Sequence, residues 1–151
     1  MEKLNLPDFE HKIRKYQDRV EIFDPIRKKF VMLSPEEWVR QNMIRFLIEY
    51  HQYPKTLIQV ENQTHYHQLQ KRTDILIYDR EGNPFLIVEC KKTGFKLNQA
   101  CFDQVAAYNH TLKAPFIMLT NGNSHFCCQV DHRTNKIHFI DKIPEYQMQS
   151  S

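Results

Sequence analysis

Leu86-Ile87-Val88-Glu89-Cys90-Lys91, read beside Lys71-Arg72-Thr73-Asp74-Ile75-Leu76-Ile77, decides how this chain folds. Both stretches are short, rich in Ile, Leu and Val, and bounded by polar residues, the pattern of strands. The run from Phe85 stays apolar almost to Lys91, as a strand covered on both faces does. Asp79-Arg80-Glu81-Gly82-Asn83-Pro84 lies between them and reads as a turn. An antiparallel hairpin is therefore expected. Side chains alternate along a strand, so Glu89 and Lys91 point the same way, and Asp74 comes close to Glu89 across the pair.

That grouping has chemical content. Two carboxylates a few ångströms apart repel each other unless a cation joins them. Hard oxygen ligands suit Mg²⁺, or Mn²⁺ in its place, which keep water molecules in their coordination sphere. A neighbouring lysine can orient an attacking water or stabilise charge on a phosphoryl oxygen. The pattern implies metal-assisted hydrolysis of a phosphodiester. Separate surface ion pairs are the competing reading. The charges end a very apolar strand, which argues against an ordinary solvated face.

Working outward, Ser34-Pro35-Glu36-Glu37 is a helix start: Ser34 suits the N-cap, Pro35 the first helical position and Glu37 the third position of a capping box. Val39, Met43, Phe46, Leu47 and Tyr50 recur at helical spacing and are expected on the core, with His51 to Pro54 ending the helix. Upstream, Arg19–Phe23 and Lys29–Leu33 read as a hairpin around Asp24-Pro25, and Met1 to Asp18 as an arm or short helix. Leu57–Val60 is a further strand, and Asn62–Lys71 a loop or its continuation. Downstream come a helix over Leu97–Leu112, a strand over Phe116–Leu119, a turn at Thr120-Asn121-Gly122, and a closing hairpin of Phe126–Val130 with Ile137–Ile140. The order predicts an α/β fold, a mixed sheet with helices on its faces. One domain over 19–143 is expected, between an N-terminal arm (1–18) and a flexible tail (144–151).

Composition narrows the function. The 151 residues suit one domain. Three glycines, Gly82, Gly94 and Gly122, lie too far apart for a P-loop or a dinucleotide-binding loop. No serine sits in the nucleophile-elbow pattern of α/β-hydrolases. No apolar stretch approaches a bilayer span, and the first residues lack the apolar core of a secretory signal. Cys90, Cys101, Cys127 and Cys128 form no Cys-x-x-Cys or zinc spacing, so reduced thiols in a cytoplasmic protein are expected. A net charge of +3 permits a nucleic-acid partner without arguing for one.

Five segments, in order, carry a family resemblance: Ser34-Pro35-Glu36-Glu37-Trp38-Val39-Arg40-Gln41, Lys71-Arg72-Thr73-Asp74-Ile75, Ile87-Val88-Glu89-Cys90-Lys91, Gln104-Val105-Ala106-Ala107-Tyr108-Asn109 and Leu119-Thr120-Asn121-Gly122. Together they resemble the N-terminal nuclease domain of the restriction subunit of type I restriction enzymes, within the PD-(D/E)xK nuclease superfamily. The resemblance runs from about Arg19 to Ile140 and implies a restriction-endonuclease-like mixed sheet that cuts DNA with Mg²⁺. Under it Asp74 and Glu89 match the metal-binding carboxylates and Lys91 the catalytic lysine. Glu37 matches a helix glutamate that adds to the metal site, with Glu36 as the fallback on the same turn. Gln104 and Tyr108 match a Gln-x-x-x-Tyr motif that supports DNA or the active site.

Each match has a plainer counterpart. Glu37 can serve only the helix cap, and Gln104 with Tyr108 can be a core-edge hydrogen bond one helical turn apart. Arg40 and Gln41 can pair with Glu36 or Glu37 along the helix. Lys71, Arg72, Lys92 and Lys96 flank the site and would screen a DNA backbone. His65, His67 and Glu61 are weaker candidates. A type I restriction subunit continues into an ATP-driven translocase, and this sequence carries no Walker motif. The expectation is thus a stand-alone nuclease-like protein or a domain working with a separate motor or specificity subunit. DNA is the expected partner, a homodimer is compatible with cutting both strands, and no membrane is involved. The alternative is a non-catalytic nucleic-acid-binding or assembly module that keeps the fold.

Overall fold

The computed structural model describes residues 1–60 and 74–146. Nine strands and two helices follow one another along it. Strands β1 (Ile13–Tyr16), β2 (Arg19–Asp24) and β3 (Lys29–Met32) form a three-stranded antiparallel sheet. Helix α1 (Pro35–His51) comes next, then a single 3-10 turn at Lys55–Leu57. Strands β4 (Ile58–Val60), β5 (Ile75–Tyr78) and β6 (Pro84–Cys90) are followed by helix α2 (Gln99–Leu112). Strands β7 (Phe116–Thr120), β8 (His125–Asp131) and β9 (Lys136–Ile140) close the fold.

The second sheet has six strands in the order β4-β5-β6-β7-β8-β9. Among the described residues only β6 and β7, joined by the α2 crossover, run parallel; the other pairs are antiparallel. A parallel pair needs such a crossover, which is why the helix sits between these two strands in sequence. The expected β5–β6 hairpin forms, with Ile75 opposite Val88 and Ile77 opposite Leu86.

Strand alternation divides the core in two. Ile75, Ile77, Leu86, Val88 and Met118 face α1 and join Val39, Met43, Ile44 and Leu47 from that helix. Leu76, Ile87, Ile117 and Leu119 point the other way and meet Cys101, Phe102 and Val105 of α2. Each face of the large sheet therefore carries one helix. Leu86, Ile87 and Val88 are fully buried, as expected for a central strand.

Several local expectations shift. The α1 stripe is rotated: Ile44 is fully buried, whereas Tyr50 is 57% exposed. Phe46 and Phe9 hold Tyr50 at the rim by ring contacts instead, and Phe46 also meets His51. In α2, Phe102 and Asn109 are buried alongside Cys101 and Val105, and Asn98 caps the helix by accepting from the Cys101 amide at 3.0 Å.

Segment 1–18 contains no helix. It supplies strand β1, and Leu4 enters the main core. At the other end Tyr146 is buried and donates to the Tyr78 carbonyl at 3.0 Å, so packing continues past the expected start of the tail. The Asn62–Lys71 expectation, with His65, His67, Glu61 and Arg72, falls outside the described residues.

Candidate active site

The site forms where β6 ends. Strand geometry brings Asp74, the residue before β5, alongside the end of β6, and its Oδ2 accepts from the Cys90 amide at 2.7 Å. Lys91 continues past β6 and donates its amide to the Thr120 carbonyl at 2.8 Å, which ties the segment to β7. Its ammonium lies 3.4 Å from Glu89 Oε2. Asp74, Glu89 and Lys91 thus converge at one rim of the large sheet, each less than a quarter exposed along its side chain.

Helix α1 adds a second charged layer. Arg40 donates to Asp74 Oδ1 at 2.6 Å and to Glu36 Oε1 at 3.2 Å, and it also pairs with Glu37 Oε1. Glu37 Oε2 accepts from Arg27 at 3.0 Å and from Gln41 at 2.8 Å. Arg27 in turn holds the fully buried Asp24 at 2.6 Å. Asp24 Oδ1 accepts from the Ile26 and Arg27 amides, an Asx turn that aims the arginine at the helix.

These contacts sort the two helix glutamates. Ser34 Oγ accepts from the Glu37 amide at 3.0 Å, so the expected N-cap is present. The Glu37 side chain does not complete a capping box; both its oxygens serve Arg27, Arg40 and Gln41. Glu36, one residue earlier, looks onto the Asp74 and Lys91 charges. Burial, then the Asp74 charge, push its carboxyl pKa up, and Arg40 and Lys91 offset this only in part. The ion pair from Arg40 to Asp74 was not legible from helical spacing, because it joins residues 34 positions apart.

The electrostatics of the rim are distinctive. Burial and the neighbouring Asp74 push Glu89 up to about 7, against the pull of Lys91. Burial works against the Lys91 ammonium, but Glu89 and Glu36 outweigh it, so Lys91 holds its proton more tightly than an ordinary lysine. Burial also disfavours the Arg40 charge, and Asp74 and Glu37 more than restore it. Five carboxylates (Asp24, Glu36, Glu37, Asp74, Glu89) face three cations (Arg27, Arg40, Lys91).

The remaining candidates sit on α2 and on the segments that follow β6 and β7. Gln104 is exposed on α2 and Tyr108, one turn later, is half-buried. Lys92 is exposed beside the rim, its carbonyl accepting from the Phe95 amide at 3.2 Å. Asn121 is a turn residue: its Oδ1 accepts from the Asn123 and Ser124 amides, and its Nδ2 donates to the Phe95 carbonyl. That bond fastens the segment after Lys91 to the end of β7. All four cysteines are free and buried; burial pushes the Cys127 thiol up to about 12 and the Cys128 thiol to about 11, so those two stay protonated.

Asp74 and Glu89 are the carboxylates that a hard divalent cation would use here, and both Asp74 oxygens already accept, from Arg40 and the Cys90 amide. The network carries a formal excess of two negative charges. Among the described residues no group of three or more His, Cys, Asp or Glu side chains is gathered closely enough to hold a metal ion. Two carboxylates with water completing the shell is the way Mg²⁺ is commonly held.

A mixed sheet with a helix on each face, and a charged cluster where its central strand ends, define a restriction-endonuclease-like α/β domain. Residues 35–144 match the family model of the type I restriction enzyme R protein N terminus, and the chain belongs to that family. Among solved structures, a fragment assigned to an HsdR subunit of a type I restriction enzyme from Vibrio vulnificus YJ016 is 26% identical. The match covers 58% of this chain and 16% of that one, with a TM-score of 0.39. No curated protein sequence matches the chain. Among the described residues, no helix is long and apolar enough to cross a membrane.

Proposed function

We propose that the domain is a Mg²⁺-dependent endonuclease that hydrolyses DNA phosphodiester bonds, as the nuclease portion of a type I restriction system. The observation that carries this is the convergence of Asp74, Glu89 and Lys91 at the end of β6. Asp74 and Glu89 would hold the metal, which would supply Lewis-acid polarisation of the scissile phosphate. Glu36 takes the helix-carboxylate role in this reading, because Glu37 is committed to Arg27, Arg40 and Gln41.

Lys91 is protonated at neutral pH, so it acts as a donor and not as a base. It orients the attacking water or stabilises negative charge growing on the phosphoryl oxygens. Burial and Asp74 push Glu89 up to about 7 in the metal-free site, and a bound cation would favour its charged form, in keeping with a ligand role. Gln104, Tyr108 and Lys92 support the DNA beside the site. The wider partners in this reading are a motor or specificity subunit, and a second copy where both strands are cut.

Arg40 favours a second reading. Its guanidinium occupies Asp74 Oδ1, the arrangement of a non-catalytic module whose carboxylates are permanently paired. Plasmid nicking separates the two. Lys91→Ala is expected to abolish Mg²⁺-dependent nicking while keeping the wild-type circular dichroism spectrum. Asp74→Ala is expected to lose calorimetric Mn²⁺ binding. Retained nicking in Lys91→Ala sinks the catalytic assignment, and DNA binding without cutting in the wild type selects the module.

A further inference from the structure

The three-stranded sheet has two unlike faces. Cross-strand pairing fixes Ile13, Ile22 and Val31 on one side, where Ile22 is fully buried. Arg14 opposite Glu21, Tyr16 opposite Arg19, Glu21 opposite Met32 and Phe23 opposite Phe30 share the other side. This outer face has aromatic rings covered by cations. Arg14 lies over Phe30 at 3.9 Å and over Tyr16 at 5.0 Å, and Lys12 over Phe23 at 5.6 Å. Phe23 and Phe30 meet edge to face at 5.3 Å.

Two observations remain unexplained by folding. Tyr16 is 46% and Met32 55% exposed; Ile13 and Val20 on the other face are exposed to a similar degree, but only the outer face presents an aromatic ring to water. The face also carries Lys12, Arg14 and Arg19 against a single carboxylate, Glu21, which the two arginines already pair at 2.8 and 3.5 Å. A positive sheet face with an exposed ring matches a polyanion that also offers flat apolar groups. Duplex DNA presents its phosphates but hides its bases, whereas a single strand presents both.

We propose that the outer face of the β1-β2-β3 sheet binds single-stranded DNA, with bases stacking on Tyr16 and the Arg14 guanidinium while Lys12 and Arg19 meet phosphates. The inference rests on the nuclease reading for the choice of DNA as the polyanion. The sheet is tied to the candidate active site through the ion pairs of Arg27 with Asp24 and Glu37.

The test is fluorescence anisotropy of the full chain in EDTA with a labelled oligothymidylate of about 20 nucleotides. Wild type is expected to bind it more tightly than a duplex of the same length. Tyr16→Ala weakens binding by about tenfold or more, from the loss of base stacking, while Tyr16→Phe stays near wild type. Unchanged binding in Tyr16→Ala, equal or tighter binding of the duplex, or tighter binding of oligouridylate overturns the proposal. Plasmid nicking is read separately: intact nicking with unchanged Tyr16→Ala binding removes the platform alone. Tyr16-dependent binding without nicking by wild type supports the platform and removes the nuclease reading.

Discussion

Glu89 is held where its charge is costly. In an unfolded chain its carboxyl titrates near the ordinary value of 4.5, whereas in the fold burial and Asp74 raise it to about 7. Between those values the native state binds the extra proton, so stability falls as pH rises from 4.5 to 7 and is level above. The loss is on the order of 1–3 kcal/mol. In EDTA, Glu89→Gln is expected to flatten this part of the profile and to unfold at higher urea than wild type at pH 8. A lower midpoint for Glu89→Gln at pH 8 would show that the charged carboxylate is stabilising. The residue was legible as a site candidate because a charge ending the apolar run Leu86–Val88 has no packing reason. Its coupling to Asp74 was legible once the hairpin was placed; the intervention of Arg40 was not, because only the fold brings α1 against the start of β5.

At the scale of the element, the first turn of α1 divides labour between adjacent glutamates. Successive helical residues point about 100° apart, so Glu36 and Glu37 cannot share one target. Glu37 is buried between Arg27, Arg40 and Gln41, and Glu36 stays partly open toward Asp74 and Lys91. Glu37→Gln leaves two partly buried guanidinium groups each with one partner fewer and is expected to cost about 1–3 kcal/mol in urea unfolding. Glu36→Gln is expected to leave stability near wild type and reduce nicking by roughly tenfold or more. The reverse pattern would return the catalytic role to Glu37. Motif spacing alone favoured Glu37, since both glutamates fit a helix start and the spacing says nothing about what lies opposite. Elements defined by strong local signals, the Ser34 cap, the Asp79–Pro84 turn and the apolar β6 run, were readable without the fold. Strand β1 was not, because Ile13–Tyr16 is exposed throughout and has no buried alternation to betray it.

For the whole molecule, the ends of the described chain belong to the core rather than hang from it. Leu4 packs against Gly122, whose φ of +89° and missing side chain make room: a Cβ there would lie 2.7 Å from Leu4 Cδ2. The Asn5 amide donates to the Gly122 carbonyl at 2.8 Å, and Trp38 of α1 donates to the Glu2 carbonyl at 2.7 Å. The first residues therefore bridge α1 and the turn after β7, the same turn whose Asn121 fastens the segment following Lys91. Deleting residues 1–10 exposes the Leu4 contact surface and strands the Trp38 indole without its acceptor. The deletion is expected to lower stability by about 2–5 kcal/mol, close to a buried leucine truncation with a lost hydrogen bond. It should also loosen the Asn121 turn, so nicking falls even at temperatures where circular dichroism reports a folded protein. Urea unfolding and plasmid nicking on the same preparation check both effects. A deletion variant with wild-type midpoint and wild-type nicking would make these residues a dispensable arm, and the rim of β6 would then owe nothing to the segment that begins the chain.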